Sequence, residues 1–381
     1  MNLVCKVCDG NDFVMDGEYM VCQTCGTKYT IETARKLLGV QTPQAQQQTA
    51  RDHAQLEDFT IRAGVLFGYT GISRVVEIPD VVLDIAEQAF SGSAISEVSI
   101  PASVKSIGPR AFSGCRNLET VTIAEGVASI GTGCFSACTS LRSVSFPSSV
   151  AAIEENTFSV CTALTSLSIP EGVKSIGTNA FSGCSSLESI SIPSSIASIG
   201  NSAFKDCRSL ASITIPNSDA HIEWGAFRGC SSLASVSIPE HITVLEGALF
   251  AHCSSLKAVT IPESVKTIEN QVFSDCSSLE SVTIPDGVTV IWSQAFEKCT
   301  SLASITIPQS VEKVGEKAFN GCTSLATVSC PAHAKIERDA FSGTPYLDSK
   351  RRAEGRCRYC GGQFKGLINK VCTGCGKPKD Y

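Results

Sequence analysis

The amino-terminal stretch MNLVCKVCDG lacks a basic segment followed by an apolar run, the pattern of a secretory signal. No apolar run in the 381 residues approaches the roughly 20 needed to cross a bilayer. These absences predict a soluble, cytoplasmic chain with no membrane partner. Also missing are a Gly-rich phosphate loop and a nucleophile motif, so the chemistry of phosphoryl or acyl transfer has no visible carrier.

What the chain has in abundance is cysteine, 20 in all. In an exported protein such a number reads as disulfides, but the missing signal favours thiols and metal ligands. The formal net charge of −6 argues against a globally basic nucleic-acid binder. That average hides an uneven spread: residues 41–349 carry 18 basic and 30 acidic groups, and residues 350–381 carry 9 and 2. Regions with different tasks are expected.

Phenylalanine recurs at Phe90, Phe112, Phe135, Phe158 and onward to Phe319 and Phe341, with interior intervals of 23 residues and terminal ones of 22. The same period carries Pro from Pro101 to Pro331 with Ala124 as the exception, Leu from Leu118 to Leu325, and ten cysteines from Cys115 to Cys322. A fixed period of this size marks a solenoid, in which each unit buries its apolar side only against its neighbours. The unit reads C-x-x-L-x-x-[VI]-x-[IF]-P-x-x-V-x-x-I-x-x-x-A-F-x-x. Its first part alternates as a strand does, with Leu187, Ile190 and Ile192 inward and Ser189 and Ser191 outward, and Pro ends it.

This unit resembles the BspA-like leucine-rich repeat over residues 55–347. The resemblance implies a mainly β repeat solenoid of about twelve 23-residue coils, with short parallel strands joined by short turns or 3-10 helices. Residues 58–79, DFTIRAGVLFGYTGISRVVEIP, resemble that family's N-terminal cap. Stacked coils would set the ten in-phase thiols in a row about 4.8 Å apart. A row cannot supply the tetrahedral convergence that zinc needs, so these cysteines read as small buried packing groups, as do Cys134 and Cys330.

Two further quartets differ: Cys5, Cys8, Cys22 and Cys25, and Cys357, Cys360, Cys372 and Cys375. Each pairs two C-x-x-C hooks across a short intervening segment, the spacing of a structural zinc site with a closed four-thiolate shell; paired disulfides are the alternative. Asp16-Gly17 is a hairpin signal inside the first quartet, and Gly26, Gly361 and Gly376 follow a second hook cysteine, where positive φ is needed. The first quartet resembles the zinc ribbon of general transcription factors and the second resembles short bacterial zinc ribbons. The expected organisation is a ribbon at 1–30, a short helix (IETARKLL, ending at Gly39) and polar linker at 31–54, the capped solenoid at 55–347, and a basic ribbon at 348–381.

Two surfaces stand out. At the two outward strand positions of each unit from Thr120 to Ser329, 19 of 20 residues are Ser or Thr, the exception being Ala258. On another edge Glu223, Glu246 and Glu269 share one phase in consecutive coils, followed by Trp292, with Trp224 beside them. This row reads either as a solvated acidic edge or as a site for a basic partner segment. Histidines do not converge: His241 and His333 lie four coils apart, His53 is in the linker, and His252 finds only Asp275 on the next coil. We therefore expect no catalytic residues and no small-molecule substrate. The leading functional expectation is a scaffold for a protein partner, with two zinc ions as its cofactors. Nucleic-acid binding through the basic C-terminal ribbon is a second class, carried by Arg351, Arg352, Arg356, Arg358, Lys365 and Lys370 interleaved with Tyr359 and Phe364. A third is a bacterial surface adhesin exported without a visible signal, which the family resemblance implies.

Overall fold

The computed structural model describes residues 13–16, 19–25, 27–30, 56–216, 219–357, 361–365, 370–375 and 377–378. Cys5, Cys8, Cys360, Gly26, Gly376, the 31–38 segment, the 41–50 linker, His53, Arg358 and Tyr359 lie outside the described residues.

The repeat folds as expected, into coils stacked side by side. The alternating part of each unit forms a short strand, such as Ser189–Ser191, paired in parallel and in register with Ser166–Ser168 of the coil before. Ser189 and Ser191 are exposed, while Leu187, Ile190 and Ile192 are buried. A second ladder, unforeseen from the sequence, is built from two-residue strands at the x-I end of the V-x-x-I segment, such as Ser198–Ile199 on Ser175–Ile176. Two residues are too few for an alternation pattern to show, yet Ile176 and Ile199 are buried and close that side of the core.

The turn around Phe is hydrogen-bonded throughout. In the Phe181 coil, the N–H groups of Asn179, Phe181 and Gly183 bond to carbonyls of the next coil at 2.7–2.9 Å. Those of Ala180, Ser182 and Cys184 bond three residues back within the coil. Donors alternate between the two directions, so a buried turn leaves no N–H unpaired. This geometry requires left-handed backbone two residues before and two residues after Phe, and all twelve coils show positive φ at both positions. Glycine fills six of the later positions; Ala137, Val160, Asp206, His252, Asp275 and Lys298 take the same conformation in the rest.

The twelve phenylalanines form one column, with successive rings 4.8–5.8 Å apart and within 19° of parallel. Offset stacking at this separation adds to the large area each ring buries. Tyr69 stacks on the first ring and Tyr346 meets the last edge-on.

Both solenoid ends are capped. At the N-terminal end a hairpin of β4 (Phe59–Arg62) and β5 (Val65–Tyr69) extends the second ladder, with β5 pairing in parallel with Asp84–Ile85 and β4 antiparallel beyond it. At the C-terminal end helix α1 (Pro345–Ala353), which crosses the expected boundary at 347, starts at Thr344. Thr344 stands in the cysteine phase; its hydroxyl donates to the Phe341 carbonyl and accepts from the Leu347 N–H, while Pro345 occupies the first helical position, where no N–H is needed.

In the amino-terminal segment, β1 (Phe13–Asp16), β2 (Tyr19–Cys22) and β3 (Lys28–Thr30) form an antiparallel sheet. Asp16 pairs with Tyr19 as the last pair of this ladder, so Asp16 belongs to the strand rather than opening the turn as the Asp16-Gly17 signal suggested. A two-stranded pairing of Phe364–Lys365 with Val371–Cys372 occupies the carboxy-terminal segment.

Candidate functional site

The carboxy-terminal cysteines come together. The sulfurs of Cys357, Cys372 and Cys375 all lie within 4.8 Å of one another, and Cys357 Sγ is 3.6 Å from Cys375 Sγ. Thiolates held about 2.3 Å from one zinc sit about 3.8 Å apart at tetrahedral corners, so these three fit three corners of such a shell. The backbone of each hook is shaped for this. The Cys357 N–H bonds to the Gly362 carbonyl and the Cys372 N–H to the Lys377 carbonyl, both at 2.9 Å. Gly361 takes φ of 73°, as its place after the hook requires, and the Gly374 N–H points at Cys372 Sγ at 3.3 Å. In the amino-terminal segment the Cys22 N–H makes the equivalent bond to Thr27 at 3.0 Å, and Cys25 Sγ lies 3.0 Å from the Thr27 hydroxyl.

The ten thiols of the solenoid form the expected row, but their role is more than volume. Each donates to the carbonyl of the Phe in the preceding coil, from Cys115 on Phe90 at 3.0 Å to Cys322 on Phe296 at 3.1 Å. Where the row begins, Ser93 stands in the same phase and donates to its own coil's Phe90 carbonyl, as Thr344 does at the far end. Burial pushes up the nine thiols from Cys115 to Cys299, Cys184 and Cys230 to about 12, which keeps them protonated and unreactive. Cys134 is buried in the core and Cys330 is partly exposed.

On the long-strand face, the Ser and Thr columns line a shallow depression of about 520 Å³ around Ser166, Ser168, Ser189, Ser191, Ser212 and Thr214, floored by Leu167, Ile190 and Ile192. It offers hydroxyls and no charge.

The acidic and aromatic row lies along the opposite ladder. Glu223, Glu246, Glu269 and Trp292 each directly follow a short strand and are half-buried. Glu223 Oε2 accepts from the Asn201 N–H of the preceding coil at 3.0 Å. Trp224 is 43% exposed, and its ring lies over Gly247, where a Cβ would sit 2.9 Å from Cδ1. Both indoles already carry a cation from this chain: the Arg228 guanidinium lies 5.7 Å from the Trp224 ring and Lys313 Nζ 4.7 Å from that of Trp292. Lys313 and Lys335 also flank Glu337, whose carboxyl they hold below the usual range, Lys335 foremost. A basic partner would therefore meet the carboxylates of this row rather than open aromatic faces. On the Phe turns, His252 pairs with Asp275 at 3.6 Å, within a longer chain of groups that runs from Arg228 through His252 and Asp275 to Lys298. Sequence reasoning missed these cations, because their phases carry no fixed residue type. Among the described residues, no helix is long and apolar enough to cross a membrane.

The family described as the BspA type leucine rich repeat region matches in six copies, over residues 64–165, 151–278 and 246–351. A leucine-rich repeat protein from Bacteroides ovatus is similar in structure with a TM-score of 0.58 and 30% identity, over 76% of this chain and 90% of that one. A leucine rich cell surface protein from Faecalibacterium prausnitzii matches with a TM-score of 0.53 and 24% identity, over 89% and 94%, a likeness of fold. No curated protein matches the chain.

Proposed function

Because the chain belongs to the BspA type leucine rich repeat family, we propose that it is a non-enzymatic scaffold for protein partners, with a structural zinc ribbon at each end. The observation that carries the scaffold reading is the twelve-strand face itself: a long, regular, hydroxyl-lined surface. Leucine-rich repeats in general use such surfaces to hold proteins, although a fold alone does not fix a function. The row of Glu223, Glu246 and Glu269 between Trp224 and Trp292 supports a basic segment as the partner's contact.

The zinc part rests on the clustering of Cys357, Cys372 and Cys375, with Cys360 as the fourth ligand by sequence and Cys5, Cys8, Cys22 and Cys25 as the second site. Zinc would bring its stability to segments with little core of their own. The hydrogen bonds that the ten in-phase thiols donate need the reduced form, which favours a reducing, cytoplasmic location.

Native mass spectrometry of the full chain, with thiol counting before and after chelation, tests this reading. We expect two zinc ions, eight thiols that react once zinc is removed, eleven that react only on unfolding, and the partly exposed Cys330 reacting on its own ahead of those eleven. Metal-free protein with oxidised quartets would overturn it in favour of a surface protein like the F. prausnitzii relative. Nucleic-acid binding remains a second reading, favoured by the exposed Lys365, Lys370 and Lys377 and by the basic last turn of α1. Its mark is affinity that falls steeply with salt.

A further inference from the structure

Two backbone hydrogen bonds per junction tie each coil to the next along the second ladder. The Ala197 N–H donates to the Lys174 carbonyl at 2.7 Å and the Glu223 N–H to the Ile199 carbonyl at 2.9 Å. Farther on, the same two phases set Lys266 on Thr243 at 2.7 Å and Glu269 on Leu245 at 3.0 Å. Between the Phe227 coil and the Phe250 coil this ladder stops. One sheet of short strands ends at His221–Ile222 and another begins at Val244–Leu245. Among the described residues, the Thr243 and Glu246 N–H groups do not reach the Ala220 and Ile222 carbonyls, their counterparts by phase. The cavity in this gap, about 190 Å³, has Ile222 on one side and Thr243 and Glu246 on the other.

The parting is confined to one side of the coil. On the long-strand face Ser212–Thr214 still pairs in register with Ser235–Ser237. Around Phe, the Gly225, Phe227 and Gly229 N–H groups reach carbonyls of the Phe250 coil at 2.8–3.1 Å. Two attached sides and one parted side have the form of a joint.

A bulky ring stands in it. In the phase where Ser195, Ser264 and Ser310 each donate a small hydroxyl to the preceding coil at 2.7 Å, the Phe250 coil has His241. Those three junctions keep their ladder, with the Ala197, Lys266 and Glu312 N–H groups bonded at 2.7–2.8 Å. The imidazole Nε2 instead lies 3.0 Å from the Ala220 carbonyl, the one that Thr243 would use. A carbonyl only accepts, so Nε2 carries the proton and Nδ1 is left as an acceptor. That Nδ1 is buried without a hydrogen-bond partner among the described residues, so the ring keeps its place against an opposing cost.

We propose that this seam is a closable joint and that His241 is the wedge holding it open. In the closed arrangement the ring turns out to solvent, and the Thr243 and Glu246 N–H groups take the Ala220 and Ile222 carbonyls as Lys266 and Glu269 do one coil on. The seam also cuts the acidic row. Glu223 follows the last short strand before it, and Glu246 and Glu269 follow strands beyond it, so closure resets the spacing of these carboxylates. A second interruption of the ladder, between Ser129–Ile130 and Ala152–Ile153, has Ser149 in the wedge phase and serves as the control, since nothing done to His241 should alter it.

Amide hydrogen exchange of the full chain, resolved to single residues, tests the proposal. In the wild type, Thr243 and Glu246 should exchange much faster than Lys266 and Glu269. His241→Ser removes the wedge and leaves a hydroxyl for the preceding coil. It should slow Thr243 and Glu246 together by about tenfold or more, with Ala151 and Glu154 at the other interruption unchanged. If His241→Ser unsettles the coil, combining it with Asp219→Val restores the branched residue that Val173 and Ile196 supply in that phase, and the same amides are read. Wild-type Thr243 and Glu246 protected as well as Lys266 and Glu269, or no slowing in either variant, would overturn the assignment.

Discussion

Replacing Cys184, Cys207 and Cys230 together by Ser should flatten the response of the solenoid to alkaline pH. Burial raises all three thiols, Cys184 and Cys230 to about 12 from an ordinary value of 9.0. A thiol with a raised folded pKa contributes its full stability below the unfolded value, and loses it as pH climbs from about 9 toward 12. Within that window each thiol costs about 1.4 kcal/mol per pH unit, so three cost about 4 kcal/mol per unit. Serine keeps the hydrogen bond, since Ser93 and Thr344 already donate to a Phe carbonyl from this phase, but it does not titrate. Urea unfolding followed by Trp224 and Trp292 fluorescence, under reducing conditions between pH 7.5 and 10.5, reads the difference as a change in slope against pH, whatever the offset at neutral pH. With m on the order of 3 kcal/mol/M, the two midpoints should converge by about 1 M per pH unit above pH 9. Parallel profiles would refute the reasoning, because they would mean the thiols do not pass from protonated and buried to ionised and exposed.

Two smaller predictions follow from the same coils. Val160 is β-branched and sits at φ 62°, where other coils place glycine; Val160→Gly should raise stability by about 1 kcal/mol, measured as a shift in urea midpoint at constant m, and no gain would mean the turn is not strained there. Lys313→Met should lower stability by about 0.5–1 kcal/mol and change the Trp292 emission, since it removes the cation over that ring; unaltered emission would place the lysine elsewhere in solution.

The solenoid was legible because every coil repeats the same contacts. Phe, Leu, Cys and Pro then survive as columns in the sequence, and the inward and outward assignment of Leu187 to Ile192 follows from alternation alone. The left-handed turn positions were not legible. Intercoil hydrogen bonds impose that conformation on Gln88, Arg110, Lys298 and Val160 alike, so residue type does not betray it. The thiols were read as volume for a related reason: their partner is a backbone carbonyl 25 or 26 residues earlier, and a carbonyl leaves no mark in a sequence. For the candidate metal ligands the spacing itself was the signal, and Cys357, Cys372 and Cys375 do converge.

One coil shows how far the pattern can fail locally without the fold failing. Three residues after Pro the unit places a buried Val or Ile, as at Val173, Ile196 and Ile242, but after Pro216 that position is Asp219. The carboxylate cannot enter the core unpaired, and it does not: Asp219 is exposed and Ala220 is fully buried instead. The coil thereby loses the volume of a branched side chain. On the next coil His241 stands in the phase where Ser195 and Ser264 donate to the preceding coil at 2.7 Å, and its Nε2 lies 3.0 Å from the Ala220 carbonyl. The larger ring makes a bond of the same kind, with its Nδ1 buried and without a hydrogen-bond partner among the described residues, and a small cavity of about 190 Å³ lies beside it. The Phe204 and Phe227 rings nearby are still stacked 5.5 Å apart and 5° from parallel. In an array where each unit touches only its neighbours, such a lesion is confined to the coil that carries it and the one that patches it. His241 is therefore better understood through its bond to the coil that carries Asp219 than through His333, which shares its phase four coils away.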